Sequence, residues 1–359
     1  MNKKRIAHTA AMLAAVLLIA AAGLLAYKFN QKINVLGAQL DGISARLSQA
    51  EDSAAGADYY NIGFDNQEAA RITVHSGQEK GTYRFWQLPL QTGNQGASYV
   101  IELPGGELIV IDGGFKGDGD YLHDFLMERG GVVKGWFLTH PHVDHIGAFL
   151  YNVNKEGHNG LTIQNVYYSP FTPEYFTEEA EGKDLKALNE YLLFDEFEAA
   201  RNSIADIPFI PMLADDRLEI GGITVDCLHS FDGTIYHVNS NSLVLNFDFG
   251  GYRIMITGDI TDGSLSKMLE RIPQGDDRWK TDCVQIPHHG FGGFTDQLLR
   301  LTQPGLAFID CTLPQYYDRD EEGNLGDGRF GTQETAAILK NRNLPSLKAF
   351  NGPNEIVID

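Results

Sequence analysis

Thr139-His140-Pro141-His142-Val143-Asp144-His145 is the stretch on which the fold turns. It places three imidazoles and one carboxylate within the six positions 140–145, directly after the apolar segment Val132 to Leu138. A strand that ends there releases its ligands into one tight loop. His140 and His142 alternate, so both can point the same way, while Asp144 and His145 reach a neighbouring point. Nitrogen and oxygen donors at this spacing suffice to begin two adjacent metal sites. The alternative is a histidine cluster on a solvated loop, and these ligand types at this spacing are too specific for it.

HPHVDH resembles the HxHxDH signature of the metallo-β-lactamase superfamily. Its wider setting, LTHPHVDHIGAF, is similar to the soluble hydrolase domain of ComEC-type DNA-uptake proteins and to bacterial phosphorylcholine esterases. The resemblance spans roughly residues 80–359. It implies an α/β fold, an αββα sandwich of two mixed β-sheets with outer helices.

The 359 residues allow one large domain or two small ones, and 43% hydrophobic content is ordinary for a protein with a core. The formal charge of −20 repels phosphate backbones at long range. Nucleic acid therefore enters only as a substrate, since bound divalent cations reverse the sign locally. Cys227, Cys283 and Cys311 are odd in number, widely spaced and set in or beside apolar runs. They read as small buried hydrophobes. A thiolate ligand from Cys227 or Cys311 is the other reading, which no CxxC or Cys–His spacing supports.

Lys3, Lys4 and Arg5 precede an apolar run from about Ala10 to Tyr27. That is close to the ~18–20 residues a membrane-spanning helix needs. The basic flank predicts a single-pass anchor over residues 1–28 with the remainder extracytoplasmic. The alternative is secretion after cleavage near Ala20-Ala21-Ala22. No Cys follows the run, which speaks against a lipid anchor. Ile33, Leu36, Leu40, Ile43, Leu47 and Ala50 then alternate three and four apart, a short heptad seam. Residues 29–70 read as a coiled-coil stalk and linker, with residues 33–50 a self-association surface or an amphipathic helix. The domain proper is expected over 71–359.

Within that domain, strands are expected at Tyr83–Leu88, Ser98–Leu103, Leu108–Ile111, Val132–Leu138, Ile163–Tyr168, Arg217–Ile220, Ile223–His229, Ser242–Phe249, Tyr252–Thr257, Asp282–Ile286, Leu306–Asp310 and Glu355–Ile358. Helices are expected at Tyr121–Arg129, 261–272, Asp296–Leu301 and Thr332–Lys340, the last capped by Thr332. Residues 146–160 read as the helix and loop after the histidine motif, and 314–331 as a Gly- and Asp-rich loop. The acidic, aromatic segment 172–206 has a helical period and reads as an insertion over the site. Asn94-Gln95-Gly96-Ala97-Ser98 is similar to the Gly-Gln-Gly-Asp turn of ComEC-type domains, with Ala97 where that pattern has an acid.

Three further segments carry chemistry. Ile254-Met255-Ile256-Thr257-Gly258-Asp259 is an apolar strand ending in an acid. The resemblance makes Asp259 a carboxylate bridging two metals; a helix-capping Asp is the alternative. Val284-Gln285-Ile286-Pro287-His288-His289-Gly290 delivers two histidines into a glycine turn. Consecutive side chains diverge, so one is the ligand. Similarity to related segments selects His289, leaving His288 to face substrate as hydrogen-bond donor or proton donor to the leaving group; the opposite assignment stays open. Asp112, before two glycines, would orient a ligand imidazole through its free N–H. Where many members of the superfamily have a further His, this chain reads Val238-Asn239-Ser240-Asn241-Ser242, as ComEC-type and esterase sequences do. His229 and His237 are near enough in sequence to substitute.

The resemblance thus implies a hydrolase with two divalent ions, Zn²⁺ first, with Mn²⁺ or Fe the alternatives. His140, His142 and Asp259 would hold one ion, and Asp144, His145, Asp259 and His289 the other. Asp144, His288 and Asp112 are the candidate catalytic residues. Phosphoester or phosphodiester bonds of cell-surface or extracellular material are the expected substrates, attacked by a metal-held hydroxide. Hydrolysis of a lactone or lactam carbonyl, and a non-catalytic binding module, are the rival readings.

Overall fold

The computed structural model describes residues 68–77, 81–177, 179–180, 183–184, 192–291, 295–317 and 331–359. The expected anchor, nearly all of the stalk and linker, and most of the 314–331 loop lie outside the described residues. Among the described residues no helix is long and apolar enough to cross a membrane.

In chain order the strands begin with β1 (Arg71–Val74), β2 (Tyr83–Gln87), β3 (Ser98–Glu102), β4 (Leu108–Asp112), β5 (Val132–Leu138), β6 (Thr162–Ile163), β7 (Val166–Tyr168), the short hairpin β8 (Glu179–Ala180) and β9 (Lys183–Asp184), and β10 (Phe209–Pro211). They continue as β11 (Arg217–Ile220), β12 (Ile223–His229), β13 (Val244–Asp248), β14 (Arg253–Ile256), β15 (Cys283–Gln285), β16 (Leu306–Ile309), β17 (Ser346–Lys348) and β18 (Asn354–Ile358). The first sheet has the order β1-β18-β2-β3-β4-β5-β7-β10, with β6 on β5; the second runs β11 to β17 in chain order. Both are mixed. β2–β3 and β3–β4 are antiparallel but β4–β5 is parallel, and β13–β14 is antiparallel but β14–β15 is parallel.

The central strands read as unbroken apolar runs because both of their faces are covered. In β4, Ile109 and Ile111 enter the layer between the sheets, while Leu108 and Val110 face helices. In β14, Ile254 and Ile256 point inward and Met255 outward. Helices α1 (Gly119–Met127), α2 (Val143–Val153) and, beyond the short α3 (Pro173–Thr177), α4 (Phe194–Ser203) lie over the first sheet. Leu122, Phe149 and Phe197 pack there with Val100 and Trp136. The second sheet is covered by α5 (Asp262–Arg271), α6 (Thr295–Thr302) and, after the short α7 (Leu313–Tyr316), α8 (Thr332–Asn341), through Leu265, Leu298 and Leu339. The result is an αββα sandwich.

Some expectations are corrected. Segment 172–206 is not helical throughout: α3 and α4 flank the β8–β9 hairpin. β6 and β7 replace one strand over 163–168. Gly331, with φ 68°, caps α8, and Thr332 is its first helical residue. Thr312 caps α7 at the start of the expected loop, donating N–H to Gln315 Oε1 and accepting from Gln315 N. β1, β10 and β17 were not expected from sequence.

Candidate metal centre

β4, β5, β14 and β15 each end in a polar loop, and these four ends converge. After β5, Thr139 donates its backbone N–H to Asp112 Oδ1 and its hydroxyl to Asp112 Oδ2, both at 2.8 Å. Trp136 Nε1 donates to the Asp112 carbonyl at 2.7 Å. Asp112 itself has φ 55°, a left-handed backbone that costs a non-glycine residue about 1–3 kcal/mol. The surrounding bonds hold it there, and they aim Oδ2 at His145 Nδ1, 2.7 Å away. An ionised carboxylate accepts only, so Nδ1 carries a proton toward Asp112 and Nε2 is the ring atom turned to the site. α2 then starts at Val143 with His142 as its N-cap, which places Asp144 and His145 in the first helical turn.

The second sheet answers with two tight turns. Gly258 has φ 56°, and a Cβ there would lie 2.8 Å from Ser242 Cβ and 3.1 Å from Thr139 Cβ. Only glycine lets the two sheets approach so closely at this point. Gln285 Oε1 accepts the Thr257 and Gly258 amides at 2.8 and 2.9 Å, and Asp259 N donates to Ser242 Oγ at 3.1 Å. His288 and His289 are both left-handed, with φ 49° and 54°. The turn Asn94–Ser98 closes the floor: Gly96 N donates to the Asp310 carbonyl and Ala97 N to the Asp144 carbonyl, each at 3.2 Å.

The donor atoms face one another. His140 Nε2 is 3.0 Å from His142 Nδ1 and 3.8 Å from Asp259 Oδ2. Asp259 Oδ1 is 3.2 Å from His145 Nε2, and Oδ2 is 3.3 Å from His289 Nε2. His289 Nε2 also lies 3.2 Å from Asp144 Oδ2. Two ligands about 2.0–2.1 Å from a tetrahedral ion stand about 3.3 Å apart, so most of these separations suit atoms sharing a cation. His145 Nε2, His289 Nε2 and Asp259 Oδ1 are buried and have no hydrogen-bond partner among the described residues. Buried polar atoms without partners are rare and costly, and a divalent cation would satisfy all three. Two groups could therefore hold ions: His140, His145 and Asp259, and Asp144, His145 and His289. The residues present fit the metal.

Electrostatics follow the same logic. Burial, then His145 and His142, push the His140 pKa far below its usual value. Burial takes His142 down to about 4. Burial also opposes charge on His145 and His289, but Asp259, with Asp112 for the first and Asp144 for the second, outweighs it. His145 is raised well above normal, and His289 is raised to about 10. Asp259 is held far below the carboxylate range, because His289 and His145 overcome the burial that would raise it.

His142 stands outside both groups, though its ring is against that of His140, with centroids 4.5 Å apart. Asp259 does not cap α5, whose N-cap is Thr261. His288 is half-buried, and its Nε2 faces the Asn239 amide at 3.3 Å. His229 is buried with Nε2 on the Ser240 carbonyl, and His237 belongs to neither ligand group. The three cysteines are buried and free, their thiols pushed up by burial, and none joins a ligand group. Among the insertion's residues, Leu193 N donates to the Pro141 carbonyl at 2.7 Å and Leu192 bridges His142. That contact seats the insertion on the histidine loop.

Two supporting residues were missed from sequence. Asp310 is buried, takes both oxygens to the Tyr99 hydroxyl at 2.7 and 2.6 Å, and accepts from Gln87 Nε2 at 2.8 Å. The run Leu306–Asp310 repeats the pattern of Leu108–Asp112, apolar residues closed by an acid, and that signal was available. Asn241 staples its loop by donating to the Tyr175 hydroxyl and the Ile235 and His237 carbonyls at 3.1, 2.8 and 3.0 Å.

The sequence model of the Metallo-beta-lactamase superfamily matches residues 91–305. The chain belongs to that superfamily, and the buried His/Asp centre is that of a metal-dependent hydrolase. Among solved structures it is similar to the metallo-beta-lactamase fold protein YhfI from Bacillus subtilis, at 12% identity over 74% of this chain and 96% of that one, TM-score 0.43. A metal-dependent hydrolase of the beta-lactamase superfamily, Tm1679, matches at 14% identity over 76% and 98%, TM-score 0.41. A diphosphatase of the PhnP family matches at 12% over 77% and 97%, TM-score 0.40. No curated protein matches the sequence.

Proposed function

We propose that this chain hydrolyses phosphoester or phosphodiester bonds outside the cytoplasmic membrane, held there by residues 1–28, with the basic Lys3, Lys4 and Arg5 inside. The observation that carries the hydrolase reading is the set of buried, unpartnered ligand atoms on His145, His289 and Asp259. In this reading His140, His142 and Asp259 would hold one divalent ion, and Asp144, His145, Asp259 and His289 would hold the other, with Zn²⁺ the first choice for His/Asp donors. When bound, such a pair supplies Lewis acidity and a nucleophile at neutral pH.

The chain's own residues do the rest. Asp112 fixes the His145 tautomer so that Nε2 is always the ligand atom. Asp259 neutralises charge between the two ligand groups, and Asp144 ties the histidine loop to His289. His288, beside the ligands but outside both groups, contacts the substrate. Support for a phosphoester over a carbonyl substrate comes from the wording LTHPHVDHIGAF and from Asn239-Ser240-Asn241-Ser242 standing where many members have a further His.

The test is a substrate screen on the full-length protein with aryl phosphomonoesters, bis-aryl phosphodiesters, DNA, lactones and β-lactams. Phosphoester turnover is expected, and His142→Ala and Asp259→Ala should each abolish it while leaving the fold. Turnover of β-lactams or lactones alone would move the reading to carbonyl hydrolysis. Turnover of nothing by the metal-loaded protein would leave a binding module. Wild-type rates in either variant would refute the ligand assignment.

A further inference from the structure

Asp310 follows β16 and is 1% exposed. Its carboxylate is met by donors: the Tyr99 hydroxyl reaches both oxygens, and Gln87 Nε2 reaches Oδ1. Gln87 is itself fixed, because its Oε1 accepts from Asn354 Nδ2 at 2.9 Å. Asp112, Asp144 and Asp259 each face a histidine, whereas Asp310 has no ion-pair partner among the described residues. The buried Lys348 lies on the neighbouring strand but points the other way. It pairs in register with Ile309, donates Nζ to the Ser346 carbonyl at 3.3 Å and lies over the Tyr316 ring on the helix-covered face. Asp310 turns to Tyr99, in the layer between the sheets.

A buried carboxylate with no cation beside it is costly, and burial pushes the Asp310 pKa up. Buried charges are normally paired or set against metal ions. The backbone shows which applies here. β15 and β16 are parallel neighbours, with Gln285 opposite Phe308, so the loop carrying His289 and the end carrying Asp310 leave the sheet on the same side. Consecutive amides of one turn then join two acids: Gly96 N donates to the Asp310 carbonyl and Ala97 N to the Asp144 carbonyl. Gly96 has φ 154°, and a Cβ there would lie 2.5 Å from the Asp144 carbonyl oxygen, so only glycine lets the turn sit this close.

We propose that Asp310 is a positioning residue of the metal centre: a buried counter-charge, aimed by Tyr99 and Gln87, that helps the centre hold two ions without binding either. This rests on the two-ion reading above. Two divalent ions bring four positive charges into a buried site. Asp144, Asp259 and Asp112 supply three negative ones, and Asp310 supplies the fourth. In the metal-free protein the same charge is a burden, because the group it answers is missing while its burial remains.

The experiment measures Zn²⁺ affinity of the full-length protein by competition with a chromophoric chelator, and denaturant unfolding of the same samples stripped of metal. Asp310→Asn, which keeps the shape and loses the charge, should weaken Zn²⁺ binding about 10–100-fold. The metal-free Asn variant should resist denaturant at least as well as metal-free wild type. Asp310→Glu, which keeps the charge and changes the shape, should hold Zn²⁺ more tightly than Asp310→Asn. Asp310→Ser, neutral and smaller, takes the place of the Asn variant if that does not fold. A purely structural role predicts the reverse: Asn the milder change, and equal loss of stability with and without metal. That result, or an unchanged Zn²⁺ affinity in the neutral variant, overturns the proposal. If the wild type binds no divalent ion, the two-ion reading fails and takes this proposal with it. If the wild type binds two ions and Asp310→Asn binds them equally well, this proposal alone fails.

Discussion

The corner Thr139–His145 and the corner Pro287–Gly290 deliver histidines to the same space, but they are held differently. In the first, the far nitrogen of His145 rests on Asp112, which Thr139 grips through both its amide and its hydroxyl. In the second, neither ring nitrogen of His289 has a hydrogen-bond partner among the described residues, and two consecutive left-handed residues carry the turn. The protein preorganises one corner and leaves the other to be completed by what binds. Metal loss is therefore expected to loosen the second corner more than the first.

The largest expected effect is therefore that of metal removal on local order. Chelation should speed amide exchange at Gly290 and Phe291, whose N–H groups serve only the tight turn, at least about tenfold more than at Thr139, which Asp112 holds. Equal acceleration at both corners, read by hydrogen exchange with site resolution, would break the comparison.

Acid should reveal a brace on the second sheet. His229 is buried and neutral, its pKa lowered to about 4 by burial, and its N–H holds the Ser240 carbonyl behind Asn239. The unfolded chain protonates this ring near 6.5, so it binds more protons than the folded one between about 6.5 and 4. Stability is then complete above 6.5 and lost as pH falls toward 4, by about 3 kcal/mol for a shift of this size. Denaturant unfolding of wild type and His229→Gln across that range should diverge at high pH and converge near pH 4. Parallel curves would remove His229 from the account.

Much of this architecture was legible in the sequence, for physical reasons. β4, β5, β14 and β15 are buried on both faces, so they appear as apolar runs, and each run stops at the loop that carries the chemistry. The strands that escaped notice lack that signature. β10 ends in Pro211, and its Ile210 is exposed; proline argues against a strand except at an edge, where β10 lies. β1 has alternate residues exposed and pairs with β18, some 284 positions along the chain from Arg71 to Glu355, which no local pattern announces. β17 hides behind Lys348, a fully buried lysine. Asn241 and Asp118 escaped because a buried staple looks like any loop polar residue; Asp118 accepts the Gln91, Thr92 and Phe115 amides.

A further effect probes the braced corner itself. Asp112→Asn keeps the size of the side chain but weakens the hold on His145, and such orienting partners are worth about 10–100-fold in metal affinity. Competition with a chromophoric chelator should read that loss, with the fold intact by circular dichroism. An unchanged affinity would mean that His145 is oriented by packing alone.

The central claim is that both corners and Asp259 enclose a pair of ions, and elemental analysis of the purified full-length protein tests it most directly. Two divalent ions per chain are expected, falling to one or fewer in His289→Ala and in Asp259→Ala. Metal-free wild-type protein after loading with Zn²⁺, Mn²⁺ or Fe²⁺, or an unchanged count in both variants, would contradict the account.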